Sequence, residues 1–173
     1  MTVEVVPVAE GDKAPLGNLV QLCLYDFSEL RGYDITPHGT FVYRFLDHYF
    51  TEDDREACFI TTDGILAGFS MTRWLDSGDR EMSEFFVLRR HRRLGVGRVA
   101  AQLLFRRHPG KWTLSFDHAN RNAARFWPGV VAEVADGPVH RQDRHPPDVS
   151  YPGTWLRFRI AAADVEPHPL ELR

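Results

Sequence analysis

One change of hydrophobic period constrains this chain more than any other feature. Residues Arg80 to Leu88 read as a strand, whereas Val96, Ala100, Leu103 and Leu104 fall on one face of a helix. Between the two runs stand five arginines and a histidine, Arg89 to Arg98, wrapped around Gly95-Val96-Gly97 in a chain whose net charge is only −3. A strand that passes through a glycine turn into a helix leaves the first helical amides and the positive end of the dipole open. The glycines keep Cβ atoms out of the way of an approaching group. Such a place suits a diphosphate, and guanidinium groups at its rim can add bidentate contacts to phosphate oxygens.

The strand before this turn is the third of a run. Ala57–Thr62, Ile65–Trp74 and Arg80–Leu88 are separated by Asp63-Gly64 and Ser77-Gly78-Asp79, at hairpin spacing, so an antiparallel meander is expected. Upstream, Val3–Val8 reads as a first strand. Leu16, Leu19, Cys23, Phe27 and Leu30 predict an amphipathic helix over 16–31 that Gly32 stops. Residues 41–50 (FVYRFLDHYF) predict a second, aromatic helix, with Phe41, Phe45 and Tyr49 as a core stripe. Downstream of the central helix, which Pro109-Gly110 ends, Trp112–Phe116 reads as a strand. Asn120 or Asn122 caps a short helix reaching Trp127, where Pro128-Gly129 breaks it. Val130–Val134 and Thr154–Ile160 read as closing strands, Asp136–Gly153 as a long loop, and the tail after Ala161 as loose.

Length and composition narrow the class. A chain of 173 residues, 43% hydrophobic and 26% charged, fits one ordinary globular domain. No apolar run reaches the ~20 residues of a membrane span, and MTVEVVPVAEGDK lacks the basic-then-apolar pattern of a signal peptide. Cys23 and Cys58 both lie in apolar stretches and read as small buried hydrophobes, so no disulfide framework is expected and a reducing cytoplasm is the expected compartment. His140, Asp143, His145 and Asp148 match no strong metal-ligand spacing, and no metal is expected. An acidic overall balance argues against a general nucleic-acid binder.

Arg92-Arg93-Leu94-Gly95-Val96-Gly97 resembles the R/Q-x-x-G-x-G/A motif of the GNAT superfamily of N-acetyltransferases, which use acetyl-CoA. Asn120, Ala123, Phe126 and Trp127 resemble that family's second signature, N-x-x-A-x-x-F-Y/W, and the order of elements is similar over roughly residues 3–160. The resemblance implies a single α/β (α+β) domain over 1–160, a mixed, mostly antiparallel twisted sheet of about seven strands flanked by about four helices, with 161–173 as a C-terminal tail. It implies that the backbone of Phe85, Phe86 and Val87 pairs with the pantetheine arm, and that Arg92 opens a loop in which Arg93, Leu94, Gly95, Val96, Gly97 and Arg98 wrap the pyrophosphate. It also implies that Asn120 lies near the thioester and that Trp127 flanks the sulfur. Acceptors are amines, here a small molecule; dimers are common in the superfamily, which leaves a homodimer open. Neither nucleic acid nor membrane is expected as a partner.

Acyl transfer to an amine needs a base, and three carboxylates compete. Glu81 lies six residues before Val87, where many family members carry the base, while Glu84 directly precedes Phe85-Phe86-Val87. In a regular strand the two face opposite sides. Glu84, followed by Phe85 and Phe86, is favoured because partial burial raises basicity. Asp117, beside His118, is the third candidate. The acidic group Asp47, Glu52, Asp53 and Asp54, near Tyr43 and Phe45, could attract a cationic amine or simply mark a polar helix exit. Two departures from the family pattern stand out. Trp127 replaces a tyrosine whose hydroxyl can protonate the leaving thiolate, and indole is no such acid. Pro128-Gly129-Val130 replaces a Gly-Phe after the helix. Three other readings remain. Gly95-x-Gly97-x-x-Ala100 with Asp117 twenty residues on also fits a dinucleotide-binding oxidoreductase. The arginines could serve a nucleic-acid module, or the site could bind acyl-CoA as a sensor without catalysis.

Overall fold

The computed structural model describes residues 1–145 and 151–162; the expected loose tail beyond residue 162 and Asp148 lie outside the described residues. Among the described residues, seven strands form one sheet: β1 (Val3–Pro7), β2 (Arg55–Thr62), β3 (Ile65–Trp74), β4 (Arg80–Val87), β5 (Gly110–Asp117), β6 (His140–Arg144) and β7 (Gly153–Ile160). Their spatial order is β1-β2-β3-β4-β5-β7-β6. Every neighbouring pair is antiparallel except β4 and β5, whose parallel alignment needs a crossover. That crossover includes α3 (Val96–Arg107), the helix predicted to follow the glycines. The other helices are α1 (Lys13–Arg31), the single turn α2 (His48–Thr51) and α4 (Arg121–Val134).

Two apolar layers sandwich the sheet. Leu16, Leu19, Val20 and Cys23 of α1 pack on Ala57, Phe69, Met71 and Phe86. On the opposite face, α3 and α4 pack on Met82, Trp112, Leu114, Leu156 and Phe158, and α3 alone also on Ile60, Ala67 and Val87. The alternation along β2 is legible residue by residue: Ala57 faces α1, Cys58 the other layer, Phe59 α1 again. Both cysteines are buried and unpaired, as read from the sequence. Burial pushes the Cys58 thiol up to about 12 and the Cys23 thiol up as well, which makes both inert.

The C-terminus of α3 is anchored by a partly buried ionic cluster. Glu56 of β2 accepts from Arg80 at 2.9 Å, from Arg107 at 2.9 Å and from His108 Nε2 at 2.6 Å. The Arg80 guanidinium, 3% exposed, also donates to Thr72 Oγ1 and lies against Trp74 and Trp112. Both carboxylate oxygens are thus paired and the guanidinium has polar partners as well as aromatic walls, which is what a buried ion group requires.

Four expectations are corrected. Residues 41–50 form no helix beyond the turn His48–Thr51. The Gln21 side chain bonds both backbone groups of Phe41, donating to its carbonyl at 3.1 Å and accepting from its amide at 2.7 Å. An aromatic-rich segment has little intrinsic helicity with which to compete. Phe45 is accordingly 51% exposed rather than core, while Tyr49 is buried. Second, α4 does not stop at Trp127 but continues through Pro128 to Val134, so 130–134 is helix and not strand. Proline inside a helix costs ~3 kcal/mol; burial of Val130 and Val131 under the sheet offsets it. Third, the expected loop 136–153 contains β6, an edge strand whose five residues are all exposed. It has no apolar alternation to read, because its partner β7 supplies the ladder. Fourth, β4 is not regular: Met71 pairs with Glu84 but Thr72 with Met82, so Ser83 is an extra residue in a bulge. Arg73, on the α1 face with Met71, lies opposite Glu81 and bonds it at 2.6 Å. Glu81 and Glu84 therefore share the α1 face rather than opposing each other.

Candidate active site

The parallel pairing of β4 with β5 stops after three residues, the last being Met82 with Leu114. Beyond it the strands part, and the β5 side of β4 from Ser83 to Val87 carries backbone groups with no strand partner among the described residues. A cavity of about 280 Å³ opens in this gap. It pierces the sheet: Cys23, Phe27 and Phe69 line it from the α1 layer, Ala123 and Trp127 from α4.

The glycine turn stands at the far end of the same strand. Arg93 (φ 61°) and Gly95 (φ 82°) are both left-handed on either side of Leu94, a pattern that turns successive amides into one concavity. The first backbone bond of α3 runs from the Val99 amide to the Gly95 carbonyl at 3.1 Å. The amides before it, through Gly97 and Arg98, are without intrahelical partners. A Cβ placed on Gly97 would meet the Phe126 ring and Val87 Cγ2 at 3.6 Å. Phe126 in turn stacks on Phe85 at 6.0 Å, and Phe85 lines the cavity. The amide cradle and the cavity are thus linked by Val87, Phe126 and Phe85, and the two sequence motifs touch. Gly95→Ala should cost ~1–2 kcal/mol for the left-handed backbone alone, read as a melting point lower by roughly 2–8 °C.

The arginines divide into two kinds. Asp26 of α1 accepts from Arg89 at 2.7 Å and from Arg92 at 2.5 Å; Arg92 also donates to the Val87 carbonyl at 2.7 Å and covers the Phe86 ring. Burial pushes the Asp26 carboxyl upward, but hydrogen bonds from Arg92 and Arg89 outweigh it and hold the group below the ordinary range. Arg98 bonds Glu133 of α4 at 2.8 Å. These three brace the turn against α1 and α4. Arg90 and Arg93 have no carboxylate partner among the described residues and remain the side chains available to an anion. The reading of the whole cluster as a phosphate rim is therefore narrowed, and Asp26 is a bracing residue that helix periodicity alone could not single out.

The three candidate bases are placed differently. Glu84 lines the cavity, makes no ion pair among the described residues, and is pushed up to about 7. Burial is the main cause; the Arg31 cation and the Tyr43 hydroxyl pull the other way, and nearby Glu81 adds to the rise. Glu81 does not line the cavity and is held by Arg73 and, at 3.4 Å, by the Ser83 hydroxyl. Asp117 lines it, but both oxygens are engaged: Oδ2 accepts from Arg31 Nε at 3.2 Å and Oδ1 from the Ala119 amide at 2.8 Å. Asn120 caps α4, its Oδ1 accepting from the Ala123 amide at 3.0 Å, and reaches the cavity wall. Trp127 is 7% exposed, with its ring edge-on to Phe85 at 5.1 Å. The acidic group at 47–54 stays outside: Asp47 pairs with Lys13 and Glu52 with Arg55. Arg31, Phe27 and Tyr43, unmarked by any sequence motif, complete the site from α1 and the segment after it.

A family model described as the acetyltransferase (GNAT) family matches residues 23–128. The chain belongs to that family. The solved structures agree on the fold. An acetyltransferase from Thermus thermophilus superposes with a TM-score of 0.63 at 16% identity, over 92% of this chain and 98% of that one. The ribosomal-protein-S18-alanine N-acetyltransferase from Escherichia coli gives 0.56 at 13% identity, over 96% and 99%. A putative streptothricin acetyltransferase from Bacillus anthracis, solved in complex with acetyl coenzyme A, gives 0.60 at 9% identity, over 93% and 99%. A search of curated protein sequences finds no match. In this GNAT acetyltransferase only β4 and β5 run parallel among the described strands, so the two parallel halves of a dinucleotide-binding oxidoreductase are not built. No helix among the described residues is long and apolar enough to cross a membrane.

Proposed function

We propose that the protein transfers the acetyl group of acetyl-CoA directly to the amine of a small acceptor, with Glu84 as general base. The observation that carries this reading is the cavity through the sheet, lined by Glu84 and by Phe85, whose ring stacks on Phe126 beside Gly97 of the amide cradle. The residues fit the donor. The amides before Val99 suit the diphosphate, and the unpaired edge of β4 suits the amide-bearing arm as an added strand. Acetyl-CoA supplies the activated acyl carbon as a thioester. Glu84 takes the proton from the attacking amine, directly or through water; the C–N bond forms and the C–S bond breaks. Free amides on the β5 side of β4 can donate to the carbonyl oxygen as it gains charge, an effect worth ~3–4 kcal/mol in related acyl chemistry. Trp127 cannot protonate the departing thiolate. A carboxylic acid that titrates near neutrality can return the proton instead, so the missing tyrosine does not by itself favour a sensor.

Calorimetry with acetyl-CoA tests the cradle. The wild type should bind with an affinity that changes little between ~50 and ~200 mM salt, where a nucleic-acid contact surface loses orders of magnitude. Gly97→Trp must displace Phe126 and Val87, and should weaken binding by at least ~100-fold, about 2.7 kcal/mol, with the circular dichroism retained. Undiminished binding by that variant would rule the cradle out as the diphosphate site.

A further inference from the structure

The cavity narrows the acceptor, an inference that rests on the acyl-transfer reading above. We infer that the acceptor is a monoamine on a compact apolar or aromatic body, carrying neither a second cationic centre nor a carboxylate. Charge and wall chemistry both point there. Among the described residues, three carboxylate or guanidinium side chains line the cavity: Arg31, Asp117 and Glu84. Arg31 and Asp117 neutralise each other at 3.2 Å, and the Asp117 side chain is 1% exposed. Arg31 is further fixed by Tyr33, whose hydroxyl accepts from Nη1 at 3.3 Å, and it is stacked over Tyr151 at 4.0 Å. It is not a free receptor for a carboxylate.

Glu84 is then the one carboxylate among these left to meet an amine. Around it the α1 side of the cavity is walled by Val20, Cys23, Leu24, Phe27 and Phe69, with the phenol of Tyr43 donating to Met71 Sδ at 3.3 Å. A second ammonium group or a carboxylate on the acceptor would lie against these apolar walls without a counter-charge, which is unfavourable. A flat apolar body meets them favourably. The volume of about 280 Å³ has to hold both the thioester end and the acceptor, which limits the body to about one ring. Polyamines, free amino acids and large polycationic molecules are excluded on this chemistry.

The test compares 2-phenylethylamine, phenylalanine and spermidine. Phenylalanine adds only a carboxylate to the first amine; spermidine replaces its ring by further cationic centres. With acetyl-CoA present, kcat/KM for 2-phenylethylamine should exceed both others by at least about tenfold, the factor that ~1.4 kcal/mol of differential binding gives. Direct binding of each amine to the free protein by calorimetry should rank them the same way. That second readout separates the two inferences: an amine that binds in this order without being acetylated defeats the catalytic reading alone. Equal or better use and binding of spermidine or phenylalanine defeats the acceptor inference alone. Leu24→Glu adds a carboxylate without a cationic partner to the wall and should shift preference toward spermidine by about tenfold, while Leu24→Met should keep the wild-type order. If Leu24→Glu does not fold, the ranking by the wild type and by Leu24→Met decides alone.

Discussion

Glu84→Gln should lower kcat by ~10²–10⁴ while leaving acetyl-CoA affinity unchanged. The amide keeps the shape and loses the ability to take a proton. As the proposed base, Glu84 acts only when ionised, so turnover should climb as pH rises through about 7, the value to which burial lifts the group. A separate rise at about 10 belongs to an alkylamine acceptor losing its own proton. In the variant the climb near 7 should vanish and the higher one remain. Stability supplies an independent reading of the same proton. The unfolded chain ionises Glu84 at about 4.3, the folded chain at about 7. The folded state thus holds the extra proton between those values, and the wild type loses stability as pH rises across that window. Glu84→Gln should lack this portion of the loss. Glu81→Gln should cost far less in turnover, because Glu81 is tied to Arg73 outside the cavity. A Glu84→Gln enzyme that keeps most of its turnover, with the limb near 7 intact, would move the base elsewhere.

The second large effect is structural and comes from Gly68. This residue pairs with Val87 where β3 meets the end of β4. A Cβ built there lies 2.1 Å from the Phe86 carbonyl oxygen and 3.0 Å from Val87 Cα. Both obstacles are backbone, so no rotamer change relieves them. Gly68→Ala should therefore force β4 away from β3 and cost roughly 3 kcal/mol, a drop of about 6–12 °C in Tm. Acetyl-CoA affinity should fall with it, since the displaced stretch is the edge proposed to receive the pantetheine arm. Gly129→Ala is the control. It lies inside α4 with nothing within 4 Å of an added Cβ, and exchange of a helical glycine for alanine gains ~0.5–1 kcal/mol. Equal melting points for wild type and Gly68→Ala would mean that the two strands do not approach so closely in solution.

Much of the architecture is legible in the sequence because it repeats. The meander shows itself by alternation and by turns at Asp63-Gly64 and Ser77–Asp79, and the pattern places β3 at its observed bounds, Ile65–Trp74. The central helix starts and stops where its glycines and Pro109 predict. Sequence patterns mislead where local propensity loses to a partner. The segment at 41–50 is held out of helix by the Gln21 amide, a contact twenty residues away. Pro128 reads as a stop because the burial of Val130 and Val131 that outweighs it belongs to the sheet packed beneath them. Strand β6 is polar throughout and owes its form to β7.

The candidate site divides along the same line. Composition, the Gly95-x-Gly97 turn and the Asn120–Trp127 pattern determined, by themselves, which end of which strand suits an anion and which acyl chemistry the chain resembles. Those features are contiguous in sequence, and their physics is that of one turn and one helix end. Only the tertiary structure decided which of Glu84, Glu81 and Asp117 faces the cavity unpaired. The decision depended on a one-residue bulge at Ser83, on Arg73 capturing Glu81, and on Arg31 arriving from α1 to occupy Asp117. Long-range ion pairs and strand register set the environment of a carboxylate, and neither is written in the neighbours that a carboxylate has along the chain.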